Sequence, residues 1–209
     1  ADSGAGINVS NADDSNVIAH CTFVDNTASS RGGAIYMANA ATPLVTDCVF
    51  TNNHADGDGG GIYLYFTNAS PTIMNSVFIE NTTDSDGGGM FIRDNCYPLV
   101  ANCVFLNNAA RRGAGIYNRG GDVDNRQQVI NSTFVNNDAT ERGGGYYCDG
   151  WPGGRGEIIN SIFWGNTAPD QGPQVRDESY VNVTYSIVQD GFPGDGNIDE
   201  DPLFVDVTA

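Results

Sequence analysis

The sequence predicts an all-β fold, a right-handed single-stranded parallel β-helix (a solenoid) of about seven rungs with three short strands per rung. One motif, Cys or Ser followed by x-Phe-x-x-Asn, occurs six times at a spacing of about 27 residues. A glycine-rich block ending in Ile-Tyr or a similar pair recurs between these copies. The β-branched and aromatic runs between glycine, asparagine and aspartate are typical of strands and turns. Such a repeat fits one rung that contacts only its two neighbours.

We assign residues 4–192 to the repeats and residues 193–209 to an acidic C-terminal turn and the last edge segment. In each repeat a β-branched residue and a phenylalanine should both face the core, yet five residues separate them. An odd separation cannot stay on one face of a continuous strand, so a bend is required between them. The column of His20, Asp47 and asparagines suits that bend, because Asn tolerates the left-handed conformation. The core phenylalanines are Phe23, Phe50, Phe78, Phe105, Phe134 and Phe163.

A second corner is predicted at the asparagine that stands three residues after each phenylalanine. Stacked side-chain amides can hydrogen-bond from rung to rung, which satisfies polar groups that a corner would otherwise bury. The glycines before each Ile-Tyr pair indicate a third tight turn, and crossovers between parallel strands favour the right-handed form. The corner asparagines are Asn26, Asn53, Asn81, Asn108, Asn137 and Asn166.

The charge of the chain excludes several classes of partner. Nine basic residues, all arginine, stand against 26 acidic ones, and the net charge is −17. A surface this acidic repels phosphate backbones, so we expect no nucleic-acid binding. We expect no membrane span either, because no apolar run approaches the roughly 18 to 20 residues that a membrane helix needs. The five cysteines form no C-x-x-C pair, and most are expected to be free thiols in the core.

One aromatic residue per rung follows the inward-facing residue of each glycine block and is predicted to point outward. Two interpretations stay open for this aromatic ladder. The rings stack on one another and stiffen an exposed sheet, or they form a flat platform for polysaccharide or for another rod. Aspartates beside them, such as Asp94 and Asp149, can accept hydrogen bonds from sugar hydroxyls. The aromatic ladder consists of Tyr36, Tyr63, Phe91, Tyr117 and Tyr147.

Charged residues at the turn before each glycine block fall in nearly one column. Arg31, Asp58, Asp86, Arg112 and Arg142 would pair between adjacent rungs as an exposed ladder of ion pairs. A catalytic Asp/Arg cluster and a calcium site are the alternatives, since carboxylates from two rungs can converge on the hard cation. The acidic C-terminal turn is either a second calcium loop or a capping turn. The calcium candidates are Asp56, Asp58, Asp84, Asp86, Asp195, Asp199 and Asp201.

The two motifs together resemble the repeat signature of the polymorphic outer-membrane protein family. Gly32-Gly33-Ala34-Ile35 carries the first motif, and the six Phe-x-x-Asn copies carry the second. The segment 196–206 resembles the last rung of many secreted bacterial β-helix repeat proteins. This resemblance covers about residues 4 to 206. It implies a right-handed parallel β-helix that is extracellular or on the bacterial cell surface, with an adhesive or structural role.

We therefore expect a non-enzymatic extracellular β-helix that acts as a surface adhesin or as a structural rod or filament subunit, contacting polysaccharide through the aromatic ladder. The alternative is a calcium-dependent polysaccharide lyase or glycoside hydrolase of the pectate-lyase-like β-helix type. No residue is assigned as catalytic, and calcium is the one cofactor considered. Because the chain opens mid-rung at Gly4, the expected partners include further rungs of a parent chain or a second copy stacked head to tail.

Overall fold

The computed structural model describes residues 1–13, 15–39, 42–65, 70–93, 95–120, 127–150, 155–169, 172–178 and 180–205. The predicted all-β parallel solenoid is confirmed, because every sheet consists of parallel strands from successive rungs. Three sheets have seven strands each, and a fourth sheet has five. Each central rung therefore contributes four strands rather than the predicted three. Within the described residues no helix is long and apolar enough to cross a membrane.

The strands of the first two sheets come before the phenylalanine of each rung. The first sheet contains β1 (Ile7–Ser10), β5 (Ile35–Ala38), β9 (Ile62–Tyr65), β13 (Met90–Arg93), β17 (Ile116–Asn118), β21 (Tyr146–Cys148) and β24 (Val175–Asp177). The second sheet contains β2 (Val17–Ala19), β6 (Leu44–Thr46), β10 (Thr72–Met74), β14 (Leu99–Ala101), β18 (Gln127–Ile130), β22 (Arg155–Ile159) and β25 (Tyr180–Thr184).

The other two sheets carry the phenylalanines and the short segment after each corner asparagine. The third sheet contains β3 (Thr22–Val24), β7 (Val49–Thr51), β11 (Val77–Ile79), β15 (Val104–Leu106), β19 (Thr133–Val135), β23 (Ile162–Trp164) and β26 (Ile187–Val188). The fourth sheet contains β4 (Thr27–Ala28), β8 (His54–Ala55), β12 (Thr82–Thr83), β16 (Ala109–Arg112) and β20 (Asp138–Arg142).

The fourth sheet is not predictable from the amino-acid sequence, because its strands carry almost no strand signal. Three of the five strands are only two residues long. Their inward-facing side chains are small, so they lack the β-branched or aromatic pattern that identifies a strand. The buried column of this sheet is Ala28, Ala55, Thr83, Ala110 and Ala139.

Left-handed residues form the three predicted corners. At the first corner, between the second and third sheets, φ lies between +50° and +54°. At the second corner the left-handed residue is the one immediately before the asparagine, such as Asn52 or Glu80. At the third corner a glycine such as Gly59 or Gly87 adopts φ of +76°. The first-corner residues are His20, Asp47, Asn75, Asn102, Asn131, Asn160 and Tyr185.

The phenylalanine column forms a continuous ring stack through the centre of the rod. In-register pairing places Phe50 beside Phe78 and Phe78 beside Phe105, so each ring meets its counterpart in the next rung. The ring centroids lie 4.4 to 4.9 Å apart with nearly parallel planes. From Phe50 to Phe163 these side chains are fully buried, as predicted. The cysteines are free thiols, and burial raises the pKa of the Cys103 thiol to about 12, which keeps it unreactive.

The corner asparagines form the predicted amide ladder, and the hydrogen bonding of its buried members is complete. The Asn53 Nδ2 atom donates to Asn81 Oδ1 at 2.8 Å and to the Phe23 carbonyl at 3.0 Å. The Asn81 Oδ1 atom also accepts the backbone N–H of Asn53, at 3.1 Å. The same pattern continues through Asn108 and Asn137. Each buried amide thus uses both donors and both acceptor positions, which offsets the cost of burying it.

We predict that Phe78→Ala lowers the free energy of unfolding by about 3 to 5 kcal/mol, because it removes a buried ring and leaves a cavity in the stack. Val24→Ala serves as the control, since that side chain is 47% exposed on a strand of the same sheet. The control should cost less than about 1 kcal/mol. Urea unfolding monitored by circular dichroism measures both values. Equal losses of unfolding free energy in the two variants would contradict a stabilising role of the ring stack.

We also predict that Asn81→Asp lowers the free energy of unfolding by about 3 kcal/mol or more at neutral pH. The new carboxylate would face the Phe50 carbonyl and Asn108 Oδ1, two acceptors now 3.0 Å from the Asn81 amide nitrogen. Asn136→Asp is the matched control, because Asn136 is exposed and Asp25 occupies the same column. Burial beside two acceptors raises the pKa of this new carboxyl, so lowering the pH from neutrality to about 4 should recover part of the loss at position 81 only. A loss that does not depend on pH would argue against a charge effect.

Candidate functional site

The aromatic ladder lies on the outer side of the first sheet, separate from the main core. Successive ring centroids are 4.8 to 5.4 Å apart, so the predicted outward direction and self-stacking are confirmed. The predicted exposed platform is wrong. From Tyr63 onward the ladder side chains are at most 1% exposed, and only Tyr36 is partly accessible. A ligand therefore does not meet the flat faces of these rings.

Arginine side chains help to cover the ladder. The guanidinium carbon of Arg31 lies 5.3 Å from the Tyr63 ring centroid, and that of Arg112 lies 5.3 Å from the Tyr117 centroid. Arg93 Nη1 lies 3.3 Å from the Tyr63 hydroxyl oxygen. Guanidinium groups stack favourably on aromatic rings while their stems bury apolar surface. The outer surface above the ladder is therefore a charged layer rather than an aromatic one.

The predicted column of turn charges lies in register and pairs in part, but it is not fully exposed. Arg112 binds Asp86 through two nitrogens, at 3.1 and 2.8 Å, and Arg111 adds a third contact at 3.1 Å. The Asp86 side chain is only 6% exposed. Arg31 lies 4.0 Å from Asp58, which also accepts a hydrogen bond from Ser85. Arg111 also lies 3.9 Å from Glu141, so the arginines in this part of the surface offset neighbouring carboxylates on a chain of charge −17.

A cleft of about 280 Å³ opens in this charged layer, and we call it the Arg119 cleft. Its walls combine cationic donors, carboxylate acceptors and the edges of two ladder rings. This mixture can hold a polar ligand that carries both a negative charge and hydroxyl groups. The cleft is lined by Asp58, Ser85, Asp86, Phe91, Arg111, Arg112, Tyr117, Arg119 and Asp149.

Arg119 differs from the other two arginines of the cleft. Its side chain is half-buried, and no described carboxylate forms an ion pair with its guanidinium. Sequence analysis did not select it. It stands two residues after Tyr117, and side chains two apart in a strand face the same side. The position two residues after each ladder residue forms a column of its own. In this column Arg119 follows Tyr117, and Asp149 follows Tyr147.

Asp149 and Tyr117 are joined at the wall of the cleft. The Tyr117 hydroxyl donates to Asp149 Oδ2 at 2.8 Å. Burial, together with this hydrogen bond, raises the pKa of Tyr117 well above its ordinary value, so the hydroxyl stays protonated near neutral pH. The bond uses one Asp149 oxygen, and the carboxylate retains acceptor capacity for a ligand hydroxyl. The expected role of Asp149 as a sugar acceptor stays a prediction, and the geometry is compatible with it. Asp94, for which the same role is expected, lies outside the described residues.

The structure does not bring the first four calcium candidates into one site. Asp58 and Asp86 bind arginines, whereas Asp56 and Asp84 lie beside His54 on another part of the rung. Arginine pairing accounts for this division, because a guanidinium occupies the oxygens that a calcium ion would need. Sequence analysis gave no role to His54, although it shares a strand end with Asp56.

The C-terminal acidic residues act as turn acceptors in the structure. Asp199 Oδ1 accepts the backbone N–H of Asp190 at 3.1 Å, and Asp201 Oδ1 accepts that of Leu203 at 2.9 Å. The backbone carbonyl of Asp195 accepts from Tyr185 at 2.9 Å. Among the described residues these carboxylates do not converge on a common point. The capping interpretation of this turn therefore agrees with the geometry.

We predict that stability falls steeply once the pH rises above about 10, the ordinary pKa of tyrosine. Burial raises the pKa of Tyr63, Tyr117 and Tyr147, so the folded chain keeps protons that the unfolded chain releases. When the folded state binds more protons, the free energy of unfolding decreases as the pH increases. Below that range these groups are protonated in both states and have no such effect.

Tyr117→Phe tests this linkage at one position. It removes one retained proton, so stability above pH 10 should fall less steeply, at a cost of about 1 kcal/mol near neutrality for the lost hydrogen bond. Tyr185→Phe is the control, because Tyr185 is 66% exposed. Urea unfolding at a series of pH values gives both slopes. Identical slopes for Tyr117→Phe and the original protein would contradict the burial effect.

Comparison with known proteins identifies the family of the chain but does not identify a ligand. Residues 1–127, more than half of the chain, match a family model described as a right handed beta helix region. Neither a curated protein nor a solved structure matches the chain. The closer resemblance to polymorphic outer-membrane proteins stays a prediction. The coiled path through four parallel sheets and the matched residues lead to one conclusion: the chain belongs to the right-handed β-helix family.

Proposed function

We propose that this protein is a non-enzymatic extracellular β-helix, a rod-like surface protein that binds an acidic polysaccharide in the Arg119 cleft. The observation that carries this proposal is a half-buried guanidinium, Arg119, without a described carboxylate partner inside a cleft that also presents carboxylates. A guanidinium presents a fork of N–H donors that matches a carboxylate group. Among the described residues, the site thus has a donor set that is available to one anionic group.

A uronic-acid unit supplies both kinds of group that the cleft walls require. Its carboxylate suits Arg119, and its hydroxyls can donate to Asp58 and Asp149. Those two aspartates would disfavour a ligand with closely spaced charges. The net charge of −17 also repels an anionic ligand over longer range. We therefore expect an affinity that is moderate and sensitive to salt.

The rod supports this role by holding the cleft on rigid, hydrogen-bonded elements. Tyr117 and Phe91 belong to paired strands of the first sheet, and Asp86 bridges to the next rung through Arg112. Preorganised donors bind with a smaller loss of conformational freedom than donors on mobile loops. An adhesive or structural surface protein benefits from such a site, because the polysaccharide stays chemically unchanged while it is held.

We predict that the protein binds polygalacturonate or alginate but not neutral dextran, and that Arg119→Gln weakens this binding by about tenfold or more. Arg155→Gln is the matched control, since Arg155 is a half-buried arginine that stacks on Tyr180 in another sheet. Biolayer interferometry on immobilised polysaccharides at two salt concentrations measures these affinities.

Two results would contradict the proposal. Equal binding of dextran and polygalacturonate, or Arg119→Gln binding like the original protein, would show that no guanidinium–carboxylate contact selects the ligand. The same samples are then assayed for unsaturated uronate ends and for reducing ends, with and without calcium. Release of either product would show a lyase or a hydrolase and would overturn the non-enzymatic part of the proposal.

A further inference from the structure

A second group of side chains, on the fourth sheet, has the arrangement of a small metal site. One ligand atom each from His54, Asp56 and Asp84 lies within 4.8 Å of the other two. We propose that these three residues bind a first-row divalent metal ion, with Zn²⁺ as the best match, across two adjacent rungs. This site does not include the Arg119 cleft and is independent of the function proposed for it.

The strand geometry explains why the three side chains meet. His54 and Asp56 flank Ala55, which is fully buried, so both neighbours point to the outer side of the rung. In the next rung Thr82 pairs with His54 and Thr83 pairs with Ala55. Asp84 therefore lies in register with Asp56 one rung away. Two ligands from one rung and a third from its neighbour create a tripod on the rod surface.

The histidine ring is oriented by a residue outside this group. Its Nδ1 atom lies 2.9 Å from Thr82 Oγ1, and its Nε2 atom lies 3.3 Å from Asp56 Oδ1. When Nδ1–H donates to the threonine, Nε2 is unprotonated and presents its lone pair to the carboxylates. Metal-binding histidines commonly donate their second ring N–H to an acceptor in this way, which sets the tautomer and the ring direction. Thr82 is thus a positioning residue for His54.

The two carboxylates also leave a charge to be compensated. Aspartates in register on adjacent rungs repel each other, as like charges opposite one another do in sheets. Asp58 and Asp86 have arginine partners, whereas no described arginine pairs with Asp56 or Asp84. A divalent cation between them would turn this repulsion into attraction and would link the two rungs.

The donor set selects the class of metal. One imidazole nitrogen and two carboxylate oxygens suit zinc and its neighbours in the first transition row. Calcium prefers six to eight oxygen ligands and gains little from imidazole. Three protein ligands leave coordination positions for water or for a further ligand. Asp84 also lines a neighbouring groove of about 350 Å³, from which such a ligand can approach.

The test titrates the purified protein with Zn²⁺ in a buffer that contains excess Ca²⁺ and Mg²⁺, with isothermal calorimetry as the readout. We expect one zinc per chain. His54→Gln and Asp84→Asn should each weaken binding by tenfold or more, and Thr82→Val should weaken it by about tenfold through loss of the orienting hydrogen bond. Asp25→Asn is the control, since it removes one exposed carboxylate at a column that asparagine occupies in other rungs.

The histidine content of the chain gives a readout that needs no variant. The chain has two histidines, and His20 lies at a corner outside the site. In ¹⁵N-resolved NMR spectra of the imidazole rings, zinc should shift the Nε2 resonance of His54 and leave His20 unchanged. Equal shifts of both rings, zinc affinity unaffected by Thr82→Val and His54→Gln, or no zinc binding would each overturn the proposal.

Discussion

In the paired strands a residue lies beside its counterpart in the neighbouring rung, and this constraint governs the molecule. The residue type in such a column must therefore be able to pack against a copy of itself at the spacing of paired strands. Phenylalanine meets this demand by ring stacking, and asparagine meets it by amide hydrogen bonding. A carboxylate does not meet it, because like charges in register repel. The chemistry of each column follows from whether its residue type can bind a copy of itself.

The outer face of the first sheet shows how the constraint shapes a surface. The aromatic ladder satisfies it directly, and the charged turns satisfy it in part, by pairing arginine with aspartate between some adjacent rungs. Arg112 and Arg142, by contrast, lie in register with each other. We assign ligands to two places where the described residues leave the pairing between rungs incomplete. Arg119 forms no ion pair with a described carboxylate, and no described arginine pairs with Asp56 or Asp84. On this scaffold, binding capacity arises where the repeated pattern is interrupted.

The amino-acid sequence was sufficient for most of the fold because repetition makes columns visible. The bends at His20 and Asp47, the buried phenylalanines and the amide ladder could all be inferred from spacing and residue type. The fourth sheet could not, because alanine at its inward positions carries no strand signal. The Arg119 cleft was harder to predict from the amino-acid sequence than the fold. The exposure of a side chain depends on neighbouring rungs, so the burial of Tyr117 beneath Arg112 could not be read from either residue alone.

The direction of the amide ladder has a consequence for the rod as a whole. Each asparagine from Asn26 to Asn137 donates to the one in the next rung, so all the amide dipoles point the same way along the axis. Aligned dipoles polarise one another and leave opposite partial charges at the two ends of the row. At the far end the Asn166 amide donates to Gln174 Oε1 at 2.7 Å, which acts as the counterpart of a helix cap. The solenoid therefore has an electrical polarity along its core that its repeating exterior does not reveal.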